Sequence, residues 1–224
     1  MVVQGVLIDV DGTLVLSNDA HAQAWVDAFA VYGYEIPFEK VRPMIGMGGN
    51  LVIPKLVPGL NDQQGDGKAL LDYRKQLVIK QFGSKLSPAN GSRELILKML
   101  ESGLKLIIAS SAQPEELEIL LKAAQVDDLL PEATTSGDAD NSKPAPDIVE
   151  AALKKIQMEP NQVIMLGDTP YDIESAGKAG VDVIAVRCGG FPEAELSKAI
   201  ALYDDPADLL RQYDSSPLAS REAI

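Results

Sequence analysis

Two aspartates follow the first apolar stretch of the chain. Residues 5–14 read GVLIDVDGTL, so Asp9 and Asp11 flank Val10 and lead into Gly12. The apolar run is typical of a parallel strand covered on both faces, and Asp9 then leaves the sheet at the carboxyl end, where open α/β sheets bind ligands. An acidic turn is the simpler alternative. Two close carboxylates repel unless a cation relieves them, so the stretch predicts a site for a hard ion such as Mg²⁺.

Polar side chains also follow two later apolar stretches. Residues 106–109 end in Ser110 and Ser111, and residues 163–166 are followed by Gly167 and Asp168. A predicted helix begins just after the two serines, and its free backbone N–H groups would lie beside their hydroxyls, an arrangement that holds phosphate oxygens. The alternative is that the serines serve only as the N-cap of this helix, which is an equally common role for serine at such a position.

Two further charged residues lie in turns that precede predicted helices. Lys143 belongs to SKPAPD, residues 142–147, where two prolines restrict the chain, and Asp172 closes GDTPYD, residues 167–172. A surface loop for Lys143 and a helix-dipole role for Asp172 are the alternatives. Because parallel strands end at one edge of a sheet, we expect both residues to lie near Asp9.

Strands that alternate with helices indicate an α/β fold with a doubly wound parallel sheet in three layers. The predicted strands are residues 6–8, 104–109, 133–134, 163–166, 181–186 and 201–203. The predicted helices after residue 88 are residues 92–102, 114–124, 146–156 and 172–179.

Residues 15–87 contain no convincing strand and predict an all-helical insertion. Helices are expected over 17–32, 38–45, 51–56 and 68–82, with a flexible loop at Gly46, Gly48 and Gly49 and a break or kink at Pro54. The expected organisation is therefore a core of residues 1–14 and 88–224 and a helical domain of residues 15–87.

In order and wording, these motifs resemble the four motifs of the haloacid dehalogenase-like superfamily, within its phosphoglycolate phosphatase and β-phosphoglucomutase-like group. The likeness covers nearly the whole chain, and the insertion resembles that family's small helical cap. The resemblance implies a Rossmann-like core in which Asp9 is a nucleophile that forms an aspartyl phosphate and Asp11 is the general acid and base.

The resemblance also assigns the supporting residues. It implies Mg²⁺ held by Asp9, Asp168 and the backbone carbonyl of Asp11, and phosphoryl oxygens bound at Lys143 and the serine pair. The phosphate-binding serines are Ser110 and Ser111. Asp172 is expected to orient the lysine or a metal-bound water.

The second aspartate argues against dehalogenase and phosphonate-cleaving members, which leaves a phosphatase or a phosphomutase. His21 stands where β-phosphoglucomutase-like members carry a histidine, although a solvated histidine explains it too. IGMGGN, residues 45–50, lacks their substrate-gripping arginine. Arg74 and Lys75 are possible substrate contacts in the insertion, or simply part of a solvated polar face.

The composition limits the kinds of partner that the chain is expected to bind. The net charge of −13 argues against nucleic acid and anionic membranes, and the single Cys188 fits a reducing cytoplasm. We expect a soluble monomer or weak homodimer that acts as a Mg²⁺-dependent phosphatase of small phosphorylated metabolites, with phosphoglycolate-like or sugar-phosphate-like substrates. A sugar phosphomutase is the alternative, and a non-catalytic binding protein on the same fold is a third.

Overall fold

The computed structural model describes residues 3–130 and 132–219, and its centre is a six-stranded parallel sheet. The strands are β1 Gly5–Ile8, β2 Lys105–Ala109, β3 Ala133–Thr134, β4 Val163–Gly167, β5 Asp182–Val186 and β6 Ala201–Tyr203. Their order across the sheet is β3-β2-β1-β4-β5-β6, and every neighbouring pair is parallel. The predicted α/β class and all six predicted strands are confirmed.

Alternate residues of each strand enter separate apolar cores on the two faces of the sheet. In β1, Val6 and Ile8 belong to one core and Leu7 to the other. The first core is closed by α5 Ser92–Glu101, α6 Pro114–Ala123 and α10 Pro206–Arg211. The second is closed by α7 Asp147–Ile156, α8 Pro170–Lys178 and α9 Glu193–Leu196. Helices on both faces explain why the strands read as continuous apolar runs.

Four helices lie between β1 and α5 and share a third apolar core of their own. They are α1 Asn18–Val31, α2 Phe38–Val41, α3 Gly49–Leu56 and α4 Gly65–Leu77, and a π-helical turn, Val78–Phe82, follows the last. Trp25 and Phe29 of α1 are buried in this core beside Ile53 and Leu70. A separate core gives the predicted helical unit a physical basis. In the described ranges, no helix is long and apolar enough to cross a membrane.

Three predicted helix starts were wrong, and the first of them is the start of α4, which begins at Gly65 rather than at residue 68. The α3 helix begins at Gly49 rather than after the glycines, and Pro54 lies inside it. Burial of Val52 and Ile53 holds this helix together, because tertiary packing outweighs local propensity. The α8 helix begins at Pro170, which suits the first helical position, so Asp172 lies in its first turn and caps it together with Thr169.

Candidate active site

The candidate site lies above β1, the central strand at which the chain changes direction across the sheet. From β1 the chain passes to β2 and β3 on one side and then crosses to β4 on the other. Ile8 is in register with Ile108 of β2 and Leu166 of β4, so the loops after these strands meet. Ligands of doubly wound sheets bind at such a switch point.

A buried lysine joins two of the predicted carboxylates. The Nζ atom of Lys143 lies 2.6 Å from Oδ1 of Asp9 and 2.7 Å from Oδ1 of Asp172, and it also donates to the carbonyl oxygen of Ala109 at 2.8 Å. Burial alone lowers the pKa of Lys143, but the two carboxylates outweigh burial and raise it. The ammonium is therefore permanently charged and fixed beside the Asp9 carboxylate.

The carboxylate of Asp168 is fixed from the segment that follows β1. Its Oδ1 accepts a hydrogen bond from Thr13 Oγ1 at 3.0 Å, and its Oδ2 accepts one from Asn18 Nδ2 at 2.7 Å. Burial raises the pKa of Asp168 well above its ordinary value, and the charge of Asp9 adds to the effect. Burial likewise raises the pKa of Asp9 to about 7, although Lys143 opposes it.

This acidic cluster has the donor set that a hard cation requires. Oxygen atoms of Asp9, Asp168 and Asp172 lie within 4.8 Å of one another. Burial and the mutual repulsion of the carboxylates raise the pKa values of Asp9 and Asp168, and a divalent cation would offset both effects. Asp172 is already committed, since its Oδ1 faces Lys143 and its Oδ2 accepts hydrogen bonds from the Thr169 backbone and hydroxyl. Because both of its carboxylate oxygens already have partners, Asp172 suits the expected orienting role better than a role as a metal ligand.

The side chain of Asp11 points away from this cluster and toward the helical insertion. Its Oδ1 accepts hydrogen bonds from Ser17 Oγ at 2.5 Å and from His21 Nε2 at 2.6 Å. Burial raises the pKa of Asp11, but its contacts with His21, with the Ser17 hydroxyl and with the nearby Arg74 guanidinium outweigh burial and hold this pKa below its ordinary value. The carboxylate of Asp11 is thus no metal ligand in this geometry, and the predicted ligation by its backbone carbonyl stays a prediction.

His21 is held from its other side by Arg74 of α4. Arg74 Nη2 contacts His21 Nδ1, and Arg74 Nη1 lies 2.5 Å from Glu116 Oε1 of α6. A guanidinium only donates, so Nδ1 accepts and the proton on the ring sits at Nε2, which donates to Asp11. The Arg74 guanidinium also lies 5.2 Å from the centre of the Trp25 ring. The buried chain from Asp11 to Glu116 therefore joins the first loop, the insertion and α6.

A cavity of about 360 Å³ opens between the insertion and the core, with Asp9 and Asp11 in its wall. Ser111 lines the cavity, and its buried hydroxyl has no hydrogen-bond partner among the described residues. Ser110 does not line it, and its Oγ accepts from the backbone N–H of Ala112. Lys75 does not line it either, because Gln113 and Glu115 hold its ammonium at 2.7 and 2.8 Å.

Several residues that shape the site were not singled out from the sequence. Thr13 lies inside the first motif, and Asn18 begins the helix that carries His21. Their positions, inside GVLIDVDGTL for Thr13 and at the start of the helix predicted over 17–32 for Asn18, were the only signal for them. Glu116 lies near the start of the helix predicted over 114–124 and does cap α6, but nothing in its spacing predicts its partner Arg74.

Gly189 leaves the space that Asp168 occupies. A Cβ at Gly189 would lie 1.8 Å from Asp168 Oδ2. We therefore expect Gly189→Ala to displace this carboxylate and lower turnover by at least about tenfold, because misplaced catalytic geometry is costly.

The control is Gly177→Ala in α8, where a Cβ meets nothing within 4 Å. This control should raise the free energy of unfolding by about 0.5–1 kcal/mol. Steady-state kinetics and urea unfolding check both, and a fully active Gly189→Ala protein would contradict the geometry.

The fold and the site together place a buried cluster of carboxylates beyond the central strand of a parallel α/β sheet, next to a cavity. Residues 6–186 match the family model of the haloacid dehalogenase-like hydrolases, and the chain belongs to this family. The superfamily predicted from the motifs is thus confirmed.

Relatives of known name and structure agree with this membership. Protein SUPPRESSOR OF QUENCHING 1, chloroplastic, of Arabidopsis thaliana is 30% identical over 191 residues, which are 83% of this chain and only 18% of that longer protein. Putative pyrophosphatase PpaX of Caldanaerobacter subterraneus subsp. tengcongensis is 27% identical over 199 residues, 88% of each chain. A hydrolase from Pseudomonas syringae has a crystal structure that superposes with a TM-score of 0.88 and 27% identity, covering 95% of this chain and 98% of that one.

Proposed function

We propose that the protein is a Mg²⁺-dependent phosphatase that hydrolyses small phosphorylated metabolites through an aspartyl phosphate on Asp9. The observation that carries this proposal is the position of the Asp9 carboxylate. It lies in the wall of a cavity, with Lys143 at 2.6 Å behind it and Asp11 beside it in the same wall. A fixed cation next to a buried carboxylate lets an anionic phosphate approach an anionic nucleophile.

The reaction divides into two displacements at phosphorus. In the first, Asp9 attacks the phosphorus and the ester oxygen leaves with a proton from Asp11. In the second, Asp11 removes a proton from water, which attacks the phosphorus and releases Asp9 and phosphate. The lowered pKa of Asp11 suits the base of the second step. For the first step its pKa must rise, and a substrate that expels water from around the carboxylate has that effect.

Asp9 and Asp168, with the backbone carbonyl of Asp11, would hold Mg²⁺. When bound, Mg²⁺ would supply positive charge that offsets the negative charges of the nucleophile and the phosphate. Lys143 supports the same charge balance from its position beside Asp9, and it would bind a phosphoryl oxygen by exchanging one of its three contacts with Asp9, Asp172 and Ala109. The hydroxyl of Ser111, which has no partner among the described residues, is the second candidate for that contact.

Residues 15–87 act in this proposal as a cap over the core of residues 1–14 and 88–224. The cap supplies one wall of the cavity through residues such as Trp25, Gly48 and Asn50. Its contact through Arg74 and Glu116 closes the site from the side of α6. A closed cap excludes bulk water until the aspartyl phosphate has formed.

A phosphate-release assay on a panel of phosphomonoesters tests the proposal. We expect release with Mg²⁺, no release after EDTA treatment, and recovery when Mg²⁺ is added back. Mg²⁺ at about 100 times its Kd should also stabilise the protein by about 2.7 kcal/mol, a shift in Tm that Asp168→Asn should abolish. Full activity in the metal-free protein would contradict the proposal.

A phosphomutase is the second candidate, and the contact between His21 and Asp11 favours it because the β-phosphoglucomutase-like members carry a histidine at this place. The same panel separates the two functions. A phosphatase releases one phosphate per turnover, whereas a mutase needs a bisphosphate primer and releases none.

A further inference from the structure

The wall of the cavity beyond Asp9 and Asp11 is acidic. Three more carboxylates line it, Asp62 from the cap and Glu116 and Asp140 from the core. Asp62 is half-buried and Asp140 is exposed. Within the described part of the chain, Arg74 is the single lining residue with a permanent positive charge. The part of the cavity that would receive the leaving group therefore has more negative than positive charge.

The charge of Arg74 is already neutralised. Its side chain is mostly buried and its Nη1 lies 2.5 Å from the buried Glu116 carboxylate, while its Nη2 contacts His21. Breaking such a buried pair to serve another anion leaves Glu116 unpaired, which is strongly unfavourable. The Nε–H of Arg74, which has no partner among the described residues, can still donate to a neutral oxygen.

The other nearby cations are also occupied or lie outside the wall. Lys143 is held by Asp9, Asp172 and the carbonyl oxygen of Ala109 and does not line the cavity. Lys75 is held by Gln113 and Glu115. Lys55 is exposed, and its Nζ lies 3.5 Å from the sulfur of Met47 without lining the cavity. Among the residues that the structure describes, the wall thus offers no free cation to a second anionic group on a substrate.

Uncharged polar groups are plentiful on the same wall. Among them, Ser111 Oγ lacks a hydrogen-bond partner in the described ranges, and Asn141 uses its amide nitrogen on Asp147, which leaves its amide oxygen free to accept. The polar uncharged lining residues are Asn50, Gln63, Ser111, Gln113, Ser136, Asn141 and Ser142. Hydroxyl groups, which both donate and accept, can pair with the donors and with the acceptors of this set. A carboxylate can pair only with its donors, and these carry no positive charge to balance it.

We propose that the substrate is the phosphate monoester of a small neutral polyhydroxyl compound, and that Asp62 and Asp140 exclude leaving groups that carry a second anionic group. This inference rests on the proposed phosphatase function and selects between its two kinds of substrate. A sugar or polyol phosphate can form hydrogen bonds with the uncharged polar side chains of the wall. Phosphoglycolate, pyrophosphate or a sugar bisphosphate instead brings an uncompensated negative charge into an acidic cavity.

Two pairs of substrates differ only at the group in question. Hydroxyethyl phosphate and phosphoglycolate exchange a hydroxymethyl group for a carboxylate, and so do glycerol phosphate and phosphoglycerate. We expect kcat/KM to favour the hydroxyl member of each pair by at least about tenfold. The carboxylates of the cavity wall repel the carboxylate of the other member, and this repulsion is stronger where the effective dielectric is low. Pyrophosphate should be hydrolysed at a rate comparable with the carboxylates or slower.

Charge-removing variants tie this selectivity to the cavity wall. The double variant Asp62→Asn, Asp140→Asn should lower the preference for hydroxyl substrates by at least about threefold. The matched control Asp214→Asn, which removes an exposed acid outside the cavity, should leave the preference unchanged. Lys55→Ala should leave it unchanged too, and a preference that rises in this variant would show that Lys55 serves anionic substrates and would overturn the proposal.

The remaining outcomes are distinct. If p-nitrophenyl phosphate is hydrolysed with Mg²⁺ but both substrate pairs give ratios near one, the phosphatase proposal stands and the selectivity inference fails. A preference that is equal in the parent and the double variant also overturns the inference. If no phosphomonoester is hydrolysed, the phosphatase proposal fails and the inference fails with it.

Discussion

Asp9→Asn is expected to lower kcat for phosphomonoesters by about 10⁴-fold or more, because an amide cannot act as the nucleophile and loss of a nucleophile removes most of the catalysis. The substitution is nearly isosteric, and the amide oxygen can still accept the hydrogen bond that Lys143 Nζ makes over 2.6 Å. Phosphate release measures the activity, and circular dichroism with thermal unfolding measures the fold. A variant that keeps more than about one per cent of the activity would contradict the assignment of Asp9.

The same variant should respond differently to pH when the metal has been removed. The pKa of Asp9 is raised from 3.8 to about 7, first by burial, so the folded protein holds a proton there that the unfolded chain releases at lower pH. In EDTA, the parent should therefore lose stability as the pH rises from about 4 to about 7, and Asp9→Asn should lose less over that range. The exposed Asp128→Asn is the control and should follow the parent in this window. Identical pH profiles for the parent and Asp9→Asn would contradict the raised pKa.

Lys143→Met should have the second largest effect, on both stability and turnover. Removal of the ammonium leaves the carboxylates of Asp9 and Asp172 buried without their shared partner. The breaking of a buried pair typically costs about 3–5 kcal/mol, and we expect a loss of that order in the free energy of unfolding. Turnover should fall by at least about a hundredfold, because the phosphoryl oxygens lose their fixed cation.

The control for this substitution is Lys155→Met. Lys155 pairs with Asp138 at 2.9 Å, but its side chain is 44% exposed, so its loss should cost less than about 1 kcal/mol. Urea unfolding and phosphate release measure both variants. Addition of Asp172→Asn to Lys143→Met should recover part of the lost stability by removing one unpaired charge. If Lys143→Met were as stable and as active as Lys155→Met, the buried ion pair would have no function.

The sheet and the residues at its carboxyl edge were predictable because their determinants are local. Each of three apolar runs ends in a polar residue, and parallel pairing brings Asp9, Ser110 and Asp168 to one edge whatever the rest of the chain does. The two prolines around Lys143 likewise identify a constrained turn. The structure adds that Lys143 lies between Asp9 and Asp172 and pairs with both carboxylates.

The contacts between the insertion and the core were not predictable, because they join residues far apart in the chain. Glu116 and Arg74 are each ordinary helix-surface residues in the sequence, and only the packing of α4 near α6 pairs them. The contact of Asn18 was not predictable either, because its amide belongs to the helical insertion and donates to Asp168 of the core. Lys75 was predicted as a possible substrate contact, and its position on Gln113 and Glu115 follows from that packing too.

A covalent phosphate on Asp9 is the most direct test of this account. In Asp11→Asn, p-nitrophenyl phosphate should still phosphorylate the enzyme, because its leaving group needs no proton, while hydrolysis is slowed for want of a base. An acid-quenched sample should then show a burst of nitrophenolate equal to the enzyme present, and mass spectrometry should place one phosphoryl group on the peptide that contains Asp9. Turnover by the parent protein, with no burst and no phosphorylated Asp9 in this variant, would contradict the account.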